Sequence, residues 1–300
     1  MNGPWDLPQP IPYQGSKRQI APEILRRFPA KIDRLVEPFA GSAAISIAVA
    51  AQNRSSKFWL NDAHAPLIDL WRKIIDTPHE LSREYEALWH QQLGREREFF
   101  NEVRARFNKS HNSADFLYLL ARCVKAAIRY NSNGEFNNTP DNRRKGARPS
   151  EMCRRIEYAS QLFQSRTVLS SLDYREVLEN CGKRDLVYMD PPYQGVCGSR
   201  DQRYLPAISH SEFCDALDKL IKRNMMFAVS YDGRTGDKVF GEPLPEALGL
   251  THLEINAGRS TQATLLGRKE ITYEGFYLSP AIGSVVDLSE SNEATQLAMW

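Results

Sequence analysis

Cysteine is scarce and scattered: Cys123, Cys153, Cys181, Cys197 and Cys214 form no C-x-x-C pair, and no histidine lies at ligand spacing from them. A disulfide framework or structural zinc site is therefore not expected, and no metal is assigned. No apolar run reaches eighteen residues, which argues against a membrane helix. The N-terminus lacks the charged-then-apolar order of a signal peptide, so the expectation is a soluble, cytoplasmic protein with no membrane contact. Internal repeats and low-complexity tracts are also missing.

A large excess of one charge is absent too. The net charge is +2 and the pI is 8.2, below the value of about 9 that flags nucleic-acid-binding domains. The distribution says more than the sum. Arg143, Arg144, Lys145, Arg148, Arg154 and Arg155 crowd one short stretch against Glu151. With 42% apolar residues over 300 positions, the chain has material for one large domain, or one domain carrying an inserted subdomain.

Short apolar runs that end in polar loops mark the expected strands. Leu35-Val36 leads into Glu37-Pro38-Phe39-Ala40-Gly41-Ser42 and an apolar helix, a small-residue turn where backbone amides can approach a ligand. That loop is not G-x-G-x-x-G, so the dinucleotide fingerprint is lacking. Lys57-Leu60 ends at Asn61-Asp62, an acid placed to accept from ribose hydroxyls or to make an Asx turn or cap before the helix over Ala65–Trp71. Ser16 is positioned to cap a helix beginning near Lys17, where a lysine opposes the helix dipole and a nearby anion would account for it.

From Pro66 to about Arg129 the period turns helical, too long for a single crossover helix. A polar, hairpin-like exit follows, with Arg129, Tyr130, Asn131, Phe136 and Asn137 running into Arg143, Arg144 and Lys145. Asn and Arg are the side chains that read purine edges, while Lys and Arg hold phosphates. Helix Glu151–Phe163 leads back to strands Thr167–Leu169 and Leu186–Met189. The latter ends in Asp190-Pro191-Pro192-Tyr193, with a polar, lid-length loop beyond it. A strand from Met226 ends at Tyr231-Asp232, and two last strands, Thr251–Ile255 and Ile271–Leu278, flank a loop with Arg259, Arg268 and Lys269.

These strand ends define one crevice at the carboxyl edge of an α/β sheet. The simplest chemistry there is methyl transfer from S-adenosylmethionine to an exocyclic amine, whose lone pair is delocalised into its ring. Asp190 and a carbonyl of Pro191 or Pro192 can accept its two N–H groups, Tyr193 can stack on the base, and the prolines fix the acceptors beforehand. No Pro-Cys nucleophile is present, which favours amino over ring-carbon methylation. A base inside a duplex must be flipped out to be reached.

Tyr13-Gln14-Gly15-Ser16-Lys17, Val36–Ser42, Asn61-Asp62, Arg129–Asn131 with Gly134–Asn137, and Asp190–Tyr193, in that order, resemble the Dam-type (D12 class, alpha group) DNA adenine-N6 methyltransferases. The resemblance runs from about Pro12 to Pro280. It implies a Rossmann-like class I methyltransferase sheet from segments 11–65 and 165–280, an inserted, mainly helical target-recognition subdomain at 66–164, and a polar tail at 281–300. It also implies a site-specific adenine methyltransferase (EC 2.1.1.72) acting on duplex DNA in a bacterial or phage-infected cell, with a cognate restriction endonuclease as the partner a restriction-modification role would add.

By the same resemblance Tyr13 and Lys17 meet the methionine part of the cofactor, and Lys17 its carboxylate. Glu37, Phe39, Ala40 and Gly41 form the cofactor loop, Asp62 holds the ribose, Asp173 and Tyr174 border the adenine, and Asp190 adjoins both cofactor and base. Arg129, Asn131, Asn137, Arg143, Arg144, Lys145 and Arg259 face DNA. Residues Val124 to Ala127 depart from the Asn-Gly-Leu-like run of GATC methylases, and Ala43 stands where the family often has glycine. The competing readings are amino methylation of RNA guanine N2 or of protein glutamine, and a catalytically silent DNA-binding protein. The glutamine enzymes would carry Asn in place of Asp190, neither enzyme reading explains the long insertion, and a silent protein would have lost the catalytic acid.

Overall fold

The computed structural model describes residues 7, 9–192, 208–236, 238–259 and 271–286. The chain opens with a 3-10 turn (Lys17–Gln19) and α1 (Ala21–Leu25), then alternates β1 (Arg34–Glu37), α2 (Ala44–Ala51) and β2 (Phe58–Asn61). Four helices follow, α3 (Ala65–Asp76), α4 (Pro78–Gln91), α5 (Glu96–Ser110) and α6 (Ser113–Arg122). After the hairpin stretch come α7 (Pro149–Phe163), β3 (Thr167–Ser170), α8 (Tyr174–Glu179), β4 (Asp185–Met189) and α9 (His210–Lys222). The last strands are β5 (Met226–Thr235), β6 (Lys238–Phe240), β7 (Thr251–Arg259) and β8 (Ile271–Leu278).

The strand order β3-β2-β1-β4-β5-β8-β7, with β6 beside β5, makes one Rossmann-like sheet. Strands β3, β2, β1, β4 and β5 run parallel, and β8 is antiparallel to both β5 and β7. The period-two rule explains why the inner strands are continuously apolar. Leu35, Phe58, Leu60, Leu186 and Tyr188 feed the core on one face. Val36, Trp59, Val187 and Met189 feed the core on the other. Strand order reverses between β1 and β4, so the crevice outside their carboxyl ends is the place where open sheets bind ligands.

Helix α2 is buried along nearly its whole length, which its sequence Ala44-Ile45-Ser46-Ile47-Ala48-Val49-Ala50 permits because its sole polar side chain is the small Ser46. Within the helical span between β2 and β3, Phe163 of α7 meets Phe58 of β2 and Trp71 of α3 edge-on. The aromatic residues of α4, α5 and α6 belong to the same continuous core as that sheet face. A turn of antiparallel backbone joins Tyr130 to Phe136, as the hairpin-like reading expects.

Three sequence expectations are corrected. Ser16 makes no side-chain cap; its hydroxyl donates to Gln9 Oε1 at 3.2 Å and accepts from Ser42 at 2.9 Å, because the turn at Lys17 is too short to present orphan amides. The helical pattern from Pro66 stops at Arg122, where Lys125 and Ala126 both take left-handed φ, 58° and 50°. Strand β5 does not end at Tyr231-Asp232 but passes through a bulge between Ser230 and Gly233 to Thr235.

That bulge depends on glycine. A Cβ on Gly275 of β8 would lie 2.5 Å from the Tyr231 carbonyl oxygen and would strike the Asp232 carboxylate. Gly275→Ala is expected to destabilise the fold by about 1–3 kcal/mol as an overpacking change. Urea unfolding measures it, and a wild-type midpoint would contradict the packing.

Candidate active site

The loop after β1 is held from three sides. Gly41 takes φ +49° with its α-carbon against the Tyr13 ring, 3.1 Å from where a Cβ would sit. Its carbonyl accepts the Trp71 indole N–H at 2.9 Å, and its amide donates to Asp62 Oδ2 at 3.1 Å. Ala43 is left-handed at φ 48°, a conformation easy for glycine and costly for alanine, so the loop keeps its shape without the usual residue.

Asn61 knots three strand ends together. Its amide donates to the carbonyls of Pro38 and Leu172 at 2.9 and 3.0 Å, and its oxygen accepts from Ser170 and the Leu172 amide at 2.7 and 2.8 Å. Asp62 is buried and accepts from Gly41 and, through Oδ1, from the His64 amide at 3.0 Å.

Beside this loop the half-buried Phe39 lies 5.3 Å from the Tyr174 ring. The Tyr174 hydroxyl is buried with no hydrogen-bond partner among the described residues. Asp173 caps α8 and forms a forked pair with Arg175 at 2.8 and 2.9 Å, which holds its carboxyl below the usual range.

The β4 end brings Asp190 to the same crevice. Lys17 Nζ stands 3.1 Å from Asp190 Oδ1 and 2.5 Å from Glu274 Oε1 of β8. Burial pulls the Lys17 ammonium toward its neutral form, but the charges of Asp190 and Glu274 outweigh it and leave the pKa above the ordinary lysine value. The anion that Lys17 requires is thus supplied within the chain. Glu274 was missed from sequence, although an acid inside the otherwise uncharged strand Ile271-Thr272-Tyr273-Glu274-Gly275-Phe276 is a usable signal. Pro191 is buried and Pro192 half-buried. Tyr193 and the lid-length loop after it lie outside the described residues, as do Arg268 and Lys269.

The hairpin stretch adjoins this crevice through His64, whose Nε2 is 2.7 Å from Tyr130 Oη. Burial lowers the His64 pKa to about 3, so this contact uses the neutral ring. The Gln14 amide donates to the Ala126 carbonyl at 3.1 Å, and buried Asn138 clamps the Val124 and Ala127 carbonyls at 3.2 and 2.8 Å. Lys125 and Ala126 thus make two successive left-handed residues, a conformation that Asn-Gly would adopt more easily.

Arg129 is half-buried, while Asn137 is exposed. Asn131 shapes the tip: its oxygen accepts the amides of Asn133 and Glu135, and its nitrogen donates to Glu135 Oε2 at 2.9 Å. The Tyr85 hydroxyl, Gln92 and Arg122 pin the carbonyls of Ala147, Lys145 and Asp141, leaving Arg143, Arg144 and Lys145 exposed. Part of that charge is met locally, Arg144 by Asp141 at 3.5 Å and Lys145 by Glu96 at 2.8 Å. Arg259 ends β7, across the sheet order from β3.

Residues 13–237 match the D12 class N6 adenine-specific DNA methyltransferase family. The chain belongs to that family. Among its relatives, the Retron Ec67 DNA adenine methylase of Escherichia coli is 31% identical over 193 residues, covering 62% of this chain and 64% of that protein. Type II methyltransferase M1.LlaDCHI of Lactococcus lactis subsp. cremoris is 27% identical over 190 residues, 60% and 64% of the two chains. The DNA adenine methylase of Serratia marcescens is 26% identical over 187 residues, 61% and 66%. The chain therefore spans just under two thirds of the length of these relatives. The family match runs through Tyr13, Lys17, Asp62, Arg129 and Asp190 and stops short of β7 and β8, so Glu274 lies beyond it.

Glu37 is a further buried acid of this D12-family site. Its Oε1 accepts the Ser46 amide at 2.7 Å, yet burial, assisted by the Asp190 charge, pushes its pKa from 4.5 up to about 8. Between those two values the unfolded chain releases this proton while the folded chain keeps it. Stability is therefore lost as pH rises through that window and levels off above it. Glu37→Gln is expected to raise Tm over the wild type by more at pH 8 than at pH 5, read by thermal unfolding; an equal difference at both would contradict the buried protonated acid.

Proposed function

We propose that the protein is a site-specific DNA methyltransferase that modifies the N6 amino group of adenine in duplex DNA (EC 2.1.1.72), with S-adenosylmethionine as methyl donor. One observation carries this reading: Asp190 and its two prolines end the strand beside the switch point, ion-paired to Lys17 at 3.1 Å and next to the Gly41–Asp62 loop pair. Family membership supports it.

The residues present suit the cofactor. Phe39 and Tyr174 offer an aromatic end with a buried hydroxyl that has no hydrogen-bond partner among the described residues, Asp173 borders it, and Asp62 is the buried acid at the end of β2 placed for a ribose. Tyr13, Ala40 and Gly41 form the tight turn beneath it, and Lys17, whose pKa is raised by its acidic neighbours, is the cation to meet its carboxylate. When bound, the cofactor supplies the methyl group.

The chain's own work concerns the amine. An aromatic amine delocalises its lone pair, so its nitrogen must be pyramidalised to attack. Asp190 and a carbonyl of Pro191 or Pro192 accept its N–H groups and aim the lone pair, and their fixed positions are electrostatic preorganisation. Tyr193 stacks on the base. The base reaches this pocket by flipping out of the duplex.

Residues 66–164 act as the recognition part. Arg129 reads a base edge, Asn131 and Asn137 shape and face the groove, and Arg143, Arg144, Lys145 and Arg259 hold phosphates. Relatives named Type II methyltransferases support a cognate restriction endonuclease as partner. No helix among the described residues is long and apolar enough to cross a membrane, in keeping with the cytoplasm of a bacterial or phage-infected cell.

Asp190→Ala is expected to abolish transfer of tritiated methyl to duplex DNA while calorimetry still detects cofactor binding; retained transfer would overturn the mechanism. For Arg129→Ala, selectivity among duplexes should relax by about 1–3 kcal/mol. An equal loss on every duplex would make it a phosphate contact instead.

A further inference from the structure

Burying a lysine is costly unless it is paired. One carboxylate would satisfy that requirement, yet among the described residues Lys17 meets two, on the strands that flank β5: Asp190 at the end of β4 and Glu274 in β8. The Lys17 and Glu274 side chains are 9% and 13% exposed, so this is not a surface pair. Glu37 at the end of β1 is the further acid electrostatically coupled to Asp190.

The fold fixes where Glu274 stands. Gly233 pairs with Glu274 across the β5 bulge, at φ +153°, and a Cβ there would lie 2.6 Å from the Tyr273 carbonyl oxygen. Gly275, the next residue, must also lack a side chain for the bulge to seat. Two glycines thus bracket the acid and bring β8 close to β5.

An ammonium has three donors and one charge to distribute. Held at 2.5 Å by Glu274, Lys17 is shared, and its bond to Asp190 is the longer of the two at 3.1 Å. Without Glu274, Lys17 would turn its full charge on Asp190 and occupy the lone pairs that an amine must use. We infer that Glu274 is a positioning residue for methyl transfer, holding Lys17 between two carboxylates so that Asp190 stays able to accept an N–H of the target amine. This rests on the role proposed above for Asp190.

The test is a double-mutant cycle of Glu274→Gln and Lys17→Met, using tritiated S-adenosylmethionine and duplex DNA under single-turnover conditions. Calorimetric cofactor affinity and thermal unfolding are read on the same samples. Glu274→Gln is expected to slow transfer by about tenfold, ~1.4 kcal/mol, and to change cofactor Kd by less than about threefold. In the Lys17→Met background it should have no further effect, because residues acting through one another are not additive.

A wild-type rate for Glu274→Gln, or the same loss with and without Lys17, overturns the inference. If Glu274→Gln fails to fold, Glu274→Asp, which keeps the charge and withdraws it by one methylene, must show the rate loss with affinity kept, and a wild-type rate there overturns it equally. A wild-type protein that transfers no methyl refutes the methyltransferase reading itself. An active wild type with indifferent Glu274 variants refutes this inference alone.

Discussion

The buried ammonium of Lys17, set between Asp190 and Glu274, is the interaction on which the site depends. Lys17 belongs to a three-residue turn before the first helix, Asp190 directly follows the central parallel strand, and Glu274 belongs to the antiparallel pair that closes the sheet. One charge therefore joins the N-terminal motif, the Asp190 loop and the C-terminal strands. The acid-rich surroundings have a cost as well, since Glu37 keeps a proton well above the usual carboxylate range.

Around that charge the strand ends are tied by polar side chains rather than by apolar packing. Asn61 uses all its bonding groups on neighbouring loops, and Asp62 bridges the Gly41 and His64 amides. Buried polar networks of this kind specify one arrangement, which suits the crevice proposed to hold cofactor and base. The His64–Tyr130 contact extends the same scaffold to the hairpin stretch, so the proposed base-reading element is mounted beside the proposed cofactor loop.

Much of this was legible in the sequence for local reasons. Strands buried on both faces read as continuous apolar runs, and the acids and prolines at their ends stand where a parallel sheet places ligands. What could not be read was long-range. Glu274 meets Lys17 across most of the chain length, and no local periodicity reports such a pairing. The β5 bulge hides behind an apparent strand end because Asp232 takes φ 57° and Gly233 follows it. Ser16 looks like a helix cap, yet its helix is a single turn and its hydroxyl is engaged elsewhere. The basic run is legible as charge, but not the acids Glu96 and Asp141 that fold against it.

Long-read sequencing for modified bases, on DNA from a methylation-free bacterial host expressing this chain, tests the central claim most directly. The account predicts N6-methyladenine at one recurring short sequence, at nearly every copy. Unmodified adenine throughout, or modification confined to cytosine, would contradict it.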